Sequence, residues 1–281
     1  MQGKSEKKFL KRSYGYRTLF HPENKIFHPK DKDGKFIPDL DYRFAGGVGG
    51  RAYYDENNAY TYRWDLKYNV GDLVNLMGGQ DEFVSRLDSL FRMQLGEDQY
   101  KVRFYQKFGG DHSGNVGQFS MGNEPSFHIP YLYNYAGQPW KTQKRIRSLI
   151  AQWFRNDLMG VPGDEDGGAM STFVVFSMMG FYPMAPGVPY YTIGSPHFPY
   201  VSVKLENGKT FEIIARNCSE DSKYIQSATL NGEPLDVPFI AHESIAQGGV
   251  LILEMSKVPN RSWGTDKEAL NALPVSLDKI K

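Results

Sequence analysis

Apolar residues recur at three- and four-residue steps over residues 62–95, which is the periodicity of an amphipathic helix. The pattern is interrupted at Gly78-Gly79, so it predicts two helices, one on either side of the glycines. The stretch QPWKTQKRIRSLIAQWF predicts another amphipathic helix, and STFVVFSMMGFYP predicts a buried helix that ends at Gly180. Residues 14–60 are rich in Gly, Pro, Asp and Asn, and predict mostly loop with short strands or turns.

The pattern changes beyond residue 186, where short runs rich in Val, Ile, Tyr and Thr alternate with turn signals such as Asn231-Gly232. Such runs predict antiparallel strands joined by tight turns. The sequence therefore predicts a mainly α fold with β: a helical region over residues 1–186, followed by a small antiparallel β domain over residues 187–281.

The charge balance and the cysteine count exclude several classes of function. Lys and Arg number 33 against 32 Asp and Glu, so no overall positive field attracts nucleic acid or an anionic membrane. No apolar segment reaches membrane-spanning length, and the lone Cys218 rules out an intrachain disulfide framework. Aromatic residues make up 14% of the chain, which suits either platforms for sugar rings or a well-filled core.

Three acidic, glycine-rich loops carry the candidate chemistry: Asp55-Glu56-Asn57-Asn58, Gly122-Asn123-Glu124-Pro125 and Gly163-Asp164-Glu165-Asp166-Gly167-Gly168. Each comes just before a predicted helix, so any one of them could simply cap that helix. Taken together, carboxylates beside amide side chains in flexible loops are what a hard cation and a polar substrate require.

Two residue pairs within these loops have informative spacings. Asp164 and Asp166 lie close enough to share a site, where one could act as a base and the other could orient water. A structural calcium site is the alternative. His128 follows Glu124 by one helical turn and could line the same pocket, although a hydrogen-bonded structural histidine fits the pattern equally.

The motifs as a set resemble family 92 of the glycoside hydrolases, the calcium-dependent exo-acting α-mannosidases. The matching stretches are ENNAYTYRW, GNEPSFHIPYLYNYAGQPWKTQ and GVPGDEDGGAMSTFVVFSMMGFYPMAPGVPYYTIGSP, followed by LNGEPL and RSWG. The resemblance implies that the helical region is part of an (α/α)6 barrel, a toroid of helical hairpins, and that the β domain packs back on it. It also implies an N-terminal region that precedes this part of the fold. The expected protein partner is therefore that region as a separate chain, or further copies of this chain in a homo-oligomer.

The resemblance implies an inverting mechanism with a bound Ca2+ and a mannose-containing glycan as substrate. By this resemblance Glu56 takes the general acid position, and Asp166 with Asp164 takes the base position. Asn123, Glu124 and His128 are the expected substrate-binding residues, and Glu124 and Asp166 the expected calcium ligands. A periplasmic or extracellular location is implied as well.

This chain departs from the family pattern beside the acid. Many members have Gly-Asn-Ala-Trp-Gln-Tyr after the acid, whereas residues 57–62 here read NNAYTY. The histidine that precedes the loop glutamate in members specific for α-1,2 linkages is Asn123 here, which argues against that linkage. Two further hypotheses therefore stand beside the enzyme: a non-catalytic carbohydrate-binding or structural fragment, and a calcium-binding interaction module with no sugar ligand.

Overall fold

The computed structural model describes residues 2–43, 53–95, 114–163 and 165–275. Its helices form from amphipathic and apolar segments of the sequence. The α-helices are α1 (Gln2–Ser13), α2 (Ala59–Tyr62), α3 (Val70–Met77), α4 (Gln80–Leu90), α5 (Pro139–Trp153), α6 (Ala169–Met179), α7 (His242–Ala246) and α8 (Lys267–Ala272). Short 3-10 helices span Gly15–Thr18, Glu124–Ser126 and Ile129–Asn134. Within these described residues no helix is long and apolar enough to cross a membrane.

The helix break at Gly78-Gly79 is confirmed. Gly78 ends α3 in the left-handed conformation with φ of 103°. Its N–H donates to the Asn75 carbonyl at 3.0 Å, and the Gly79 N–H donates to the Val74 carbonyl at 2.9 Å. These bonds satisfy the last carbonyls of α3, and the glycine backbone tolerates the positive φ, so the chain can turn directly into α4.

The apolar segment before Gly180 forms α6, and the predicted end of the helix is confirmed because Gly180 adopts a left-handed conformation. The prediction of a buried helix was right for one face only. Met170 and Phe173 are fully buried, while the Val175 side chain is 56% exposed. A segment that is apolar all round has no periodicity to show which face is covered.

Aromatic contacts join these helices to the 3-10 segments. Trp64 packs edge-on against Phe83 of α4 with ring centroids 5.2 Å apart. Phe127 packs on Phe173 of α6 at 4.9 Å, so the Glu124 loop and α6 share one apolar cluster. Burial of such large rings dominates the energetics of a core. That this cluster belongs to an (α/α)6 barrel stays a prediction.

The strands form small sheets. They are β1 (Phe20–His21), β2 (Ile26–Phe27), β3 (Asn115–Val116), β4 (Phe119–Ser120), β5 (Phe181–Tyr182), β6 (Tyr190–Ile193), β7 (Tyr200–Lys204), β8 (Thr210–Arg216), β9 (Tyr224–Leu230), β10 (Glu233–Pro234), β11 (Phe239–Ala241) and β12 (Gly249–Ser256). The largest sheet has the order β10-β9-β12-β8-β7. Residues 14–43 and 53–60 are mostly loops and turns with two short strands, as predicted.

The predicted antiparallel arrangement is wrong for one pair of central strands, because β12 and β8 run parallel. The turn at Asn231-Gly232 joins β9 and β10 antiparallel, as predicted. The last strand, β12, inserts between β8 and β9 and pairs antiparallel with β9. Turn signals report only the pairing of strands that follow each other along the chain, so they could not indicate this insertion.

Polar side chains of α5 join the helical region to the sheet. The buried guanidinium of Arg147 donates to the carbonyl oxygens of Pro196 and Ser219, each at 2.5 Å. Gln143 accepts from the backbone N–H of Ile225 at 3.1 Å. Buried carbonyls need such partners, so α5 fixes where the sheet lies. The division of the chain near residue 187 stays a prediction.

Replacing Arg147 by Met should lower the free energy of unfolding by roughly 1–3 kcal/mol, because buried carbonyls lose their donors. Chemical denaturation measures this change. Lys144→Met is the matched control, since it removes an exposed positive charge from the same helix. Equal stability of the two variants would show that the Arg147 contacts do not hold the sheet.

Candidate active site

Two of the acidic loops are held together by backbone contact between glycines. A Cβ atom at Gly163 would lie 2.1 Å from the carbonyl oxygen of Gly122, closer than any side chain allows. Next to this contact, the Met121 N–H donates to the Gly114 carbonyl at 3.1 Å. A side chain on Gly163 would push the loops apart, so glycine is required for the approach.

A pocket of about 410 Å3 lies beside the two loops. Its lining includes three of the predicted site residues, Glu124, His128 and Asp166, and also Lys67 and Tyr182. The volume lies within the range of roughly 300–1,000 Å3 that is typical of small-molecule sites. The structure thus brings these three residues, from two separate loops, to one pocket.

Asp166 lies on the exposed side of this pocket, in a turn with positive φ. Its φ is 45°, and Gly167 and Gly168 follow with φ of 70° and 96°. The carboxylate of the neighbouring Glu165 accepts from the Ser171 N–H at 3.2 Å and so caps the first turn of α6. Capping in this loop is therefore done by Glu165, and Asp166 remains at the pocket. Asp164, the other predicted base residue, lies outside the described residues.

Glu56 is tied to the same region through Asn123. The Asn123 side-chain amide donates to Oε2 of Glu56 at 3.2 Å. Glu56 is half-buried and has a φ of 62°. In this loop the cap of α2 is Asn58, whose side chain accepts from the N–H groups of Tyr60 and Thr61. Capping thus does not account for Glu56. The hydrogen bond from Asn123 connects it to the loop of Glu124.

An amide network that the sequence did not indicate holds the Glu56 loop in place. The buried side chain of Asn57 accepts from the Asn58 N–H and the Thr61 hydroxyl, both at 2.9 Å. The Asn58 amide donates to Gln118 at 3.0 Å, and Gln118 donates to the Gln94 carbonyl at 2.6 Å. In the sequence, only the run of amide residues Asn57-Asn58 pointed to such a network.

His128 lines the pocket as a fixed, neutral imidazole. Its Nε2 lies 2.7 Å from the Trp64 carbonyl oxygen, which can only accept, so Nε2 carries the proton. The side chain is 1% exposed. Burial, with the nearby positive charge of Lys67, lowers the pKa of His128 to about 4. The structural role is therefore shown, and a substrate-binding role stays a prediction.

Tyr182 is a pocket residue that sequence reasoning missed. Its ring stacks on Tyr131 with centroids 5.2 Å apart. Burial, with the negative charge of Glu124, raises the pKa of Tyr182 to about 12. The phenol therefore keeps its proton near neutral pH and can donate a hydrogen bond in the pocket. Lys67, which pairs with Asp65 at 3.1 Å, adds a positive charge to the same pocket.

Oxygen donors in this pocket suit a hard cation. Glu124 and Asp166 both supply carboxylates, the ligand type that Ca2+ prefers. Among the residues that the structure describes, no three or more His, Cys, Asp or Glu side chains group closely enough to hold a metal. Since Ca2+ takes about six to eight oxygen ligands, Glu124 and Asp166 would form only part of a calcium site.

Glycoside hydrolases cleave sugars with a pair of carboxyl groups that flank the scissile bond, and carboxyl groups from separate loops meet in this region. Residues 1–257 match the model of the glycosyl hydrolase family 92 catalytic domain. The chain belongs to glycoside hydrolase family 92. The family assignment made from the sequence motifs is thus confirmed, and this family is a class of glycosidases.

Similar proteins agree with this assignment. A protein of Arthroderma benhamiae named as a secreted glycosidase is 35% identical to this chain over an alignment of 301 positions; the match covers 98% of this chain and 35% of that protein. A family GH92 α-mannosidase of Bacteroides thetaiotaomicron, in complex with mannoimidazole, matches at 33% identity with a TM-score of 0.85, covering 93% of this chain and 34% of that one.

A family GH92 inverting mannosidase of Bacteroides thetaiotaomicron VPI-5482 has a TM-score of 0.80 at 34% identity. The match covers 93% of this chain and 35% of that one. The chain thus spans about a third of the length of these relatives. The described part of the fold is therefore shared with α-mannosidase structures of the family.

Substituting Ala for Gly163 should lower the free energy of unfolding by roughly 1–3 kcal/mol, because the new methyl group meets the Gly122 backbone. Thermal or chemical denaturation measures the loss. Gly15→Ala is the control, since a Cβ there meets nothing within 4 Å and no positive φ is required. A Gly163→Ala chain as stable as this control would mean that the loops do not depend on the close approach.

The lowered pKa of His128 should make the fold weaker in acid. Below about pH 6.5 the unfolded chain protonates this histidine, whereas the folded chain resists protonation until about pH 4. Stability is therefore full above pH 6.5 and falls, by on the order of 1–3 kcal/mol, as the pH drops towards 4.

Melting temperatures measured from pH 7 to pH 4 check this expectation. In His128→Gln the side-chain amide can still donate to the Trp64 carbonyl but cannot take up a proton. Its melting temperature should therefore fall less steeply in acid. The same acid slope in both chains would show that His128 does not couple to folding.

Proposed function

We propose that this chain is the catalytic portion of a calcium-dependent, inverting exo-α-mannosidase that releases mannose from mannose-containing glycans. One observation carries the proposal: Glu124 and Asp166 line one pocket, and Glu56 accepts a hydrogen bond from Asn123, which directly precedes Glu124. Membership of family 92 and the likeness to α-mannosidase structures supply the reaction class.

Glu56 is the proposed general acid. An inverting hydrolase needs one carboxylic acid to protonate the leaving oxygen and a carboxylate on the other face of the sugar to activate water. The Asn123 amide donates to Oε2 of Glu56, and this hydrogen bond orients the carboxyl group. The buried Asn57 and Asn58 fix the loop, which places this acid in a defined position.

Asp166 is the proposed general base, with Asp164 as its helper. The carboxylate of Asp166 is exposed at the pocket, where it is accessible to water, and Glu165 takes over the capping of α6. The two proposed catalytic groups come from different loops, which allows them to lie on opposite faces of a sugar. Room for a water molecule requires a separation of roughly 6.5–9.5 Å between the two carboxyl groups.

Calcium binding is proposed for Glu124 and Asp166. A calcium ion bound there would polarise sugar hydroxyl groups and favour distortion of the ring. The Tyr182 phenol, protonated near neutral pH, can donate to a sugar oxygen on the same side as Glu124. His128, held neutral by burial and fixed by its hydrogen bond to the Trp64 carbonyl, is a further proposed substrate-binding residue.

The proposed substrate places the enzyme outside the cytoplasm, in the periplasm or the extracellular space. The relative from Arthroderma benhamiae is named as secreted, which supports this location. The even balance of charge favours a neutral glycan over nucleic acid as partner. The relatives are about three times as long as this chain, so a further polypeptide region or a second copy is a proposed partner.

A non-catalytic carbohydrate-binding chain is the second candidate. It is favoured by the segment after Glu56. Thr61, which donates a hydrogen bond to Asn57, stands where many members have Gln. The half-buried Tyr60 stands where many members have Trp. Such a chain would bind mannose-containing glycans without turnover.

Hydrolysis of an aryl α-mannoside separates the two functions. Glu56→Gln should lower kcat by about 10²–10⁴, because Gln keeps the shape but cannot donate a proton. Asp166→Asn should lower it at least as far, since an amide cannot accept the proton of water.

Glu165→Gln is the matched control within the loop of Asp166. Its side-chain oxygen can still cap α6, so turnover should be unchanged. Removing calcium with a chelator should abolish turnover by the unsubstituted chain. Unchanged activity of Glu56→Gln would exclude Glu56 from the mechanism, and a folded chain with no turnover in any condition would favour the binding protein.

A further inference from the structure

One lysine, Lys67, belongs to the lining of the pocket whose carboxylates are the proposed calcium ligands. The lining combines Lys67 with Glu124, Asp166 and the neutral imidazole of His128. Among the described residues that line this pocket, Lys67 is the one that carries a positive charge. A metal cation that enters the pocket therefore meets two carboxylates that attract it and an ammonium group that repels it.

The backbone that carries Lys67 is fixed beside the pocket. The Trp64 carbonyl accepts hydrogen bonds from the His128 imidazole and from the Leu66 N–H, each at 2.7 Å. Trp64 and Leu66 are buried, and the Trp64 ring packs on Phe83. The Lys67 side chain itself is only 30% exposed. Its positive charge is therefore a lasting feature of the pocket, because the segment that carries it is anchored in the core.

The ion pair with Asp65 does not cancel the charge of Lys67. The two groups lie 3.1 Å apart, but the Asp65 side chain is 42% exposed, and such a pair is weak because water screens it. Burial is the largest cause of the lowered pKa of His128, about 4, and the charge of Lys67 is the next. The opposing charge of Asp65 has a smaller effect on this pKa. The field of Lys67 thus reaches the wall of the pocket that His128 forms.

Lys67 has opposite effects on this pocket with and without a bound metal cation. Without one, its ammonium group offsets the repulsion between the carboxylates of Glu124 and Asp166 and stabilises the pocket. With a divalent cation on these carboxylates, the same ammonium group repels the cation, and salt screens this repulsion little in a partly buried site. The lysine and the metal cation therefore compete for the same two carboxylates.

We propose that Lys67 is an internal competitor of calcium, which weakens the binding of this ion to the pocket of Glu124 and Asp166. The proposal rests on the calcium site that is part of the proposed function. It adds that the pocket fills with calcium only where the ion is abundant, as for extracellular modules with a Kd of about 10⁻⁴–10⁻³ M. Occupancy of the pocket then follows the calcium concentration of the surroundings.

Calorimetric titration of calcium into the whole chain, after the ion has been removed with a chelator, tests this proposal. Lys67→Met keeps a long side chain but removes the charge, so calcium should bind about tenfold more tightly. Lys67→Arg keeps the charge and should retain the original affinity. Lys204→Met removes an exposed lysine of strand β7, outside the pocket lining, and should leave the affinity unchanged. Glu124→Gln should weaken binding, which assigns the measured heat to this pocket.

Thermal unfolding gives a second readout, which a loss of packing alone would not change. In chelator, Lys67→Met should melt at a lower temperature than the unsubstituted chain, because Glu124 and Asp166 lose their counter-charge. A given concentration of calcium should then raise the melting temperature of Lys67→Met by more, since tighter binding stabilises the folded chain further. An equal rise in both chains would show that Lys67 acts on the fold and not on calcium.

Three results would overturn the proposal: calcium affinity that Lys67→Met leaves unchanged, equal tightening in Lys67→Met and Lys67→Arg, or no calcium binding by any of these chains. Hydrolysis of an aryl α-mannoside, with and without calcium, reports the proposed function separately. Turnover that requires calcium, together with an unchanged calcium affinity in Lys67→Met, would exclude the competition and leave the mannosidase in place. Tighter calcium binding in Lys67→Met without any turnover would support the competition and count against the mannosidase.

Discussion

The candidate site depends on the close approach of two glycines, Gly163 and Gly122. No side chain fits between their backbones, so the loop of Asp166 lies directly against the loop of Glu124. Aromatic packing of Phe127 on Phe173 holds the segments that follow these loops. The two acidic loops are thus brought together by backbone contact and apolar packing.

Within the acidic loops, structural and chemical roles fall on different residues. Asn58 and Glu165 satisfy the first N–H groups of α2 and α6. Neighbouring Glu56 and Asp166 are not needed for capping: Asp166 lines the pocket, and Glu56 accepts a hydrogen bond from Asn123. A loop that caps its helix with one polar residue can hold a second polar residue in a fixed position for chemistry.

Much of the local structure could be predicted from the sequence. The break at Gly78-Gly79 and the turn at Asn231-Gly232 follow from glycine conformations that are local, and both are confirmed. The motifs around Glu124 and Asp166 were long enough to indicate the family and a shared pocket.

Features that depend on distant contacts could not be predicted. The parallel pairing of β12 with β8, the exposure of Val175 and the bond from Asn58 to Gln118 each depend on residues far away along the chain. The same holds for Tyr182, which enters the pocket only because α6 packs on the Glu124 loop.

The stereochemistry of the first-formed product tests the paired roles of Glu56 and Asp166 most directly. Proton NMR can follow the hydrolysis of an aryl α-mannoside by the chain in the presence of calcium, before the anomers of free mannose equilibrate. If an acid and a base act on opposite faces of the sugar, β-mannose appears first. Initial release of α-mannose would show that a carboxylate attacks the sugar directly, and it would contradict the assignment of Asp166 as a base.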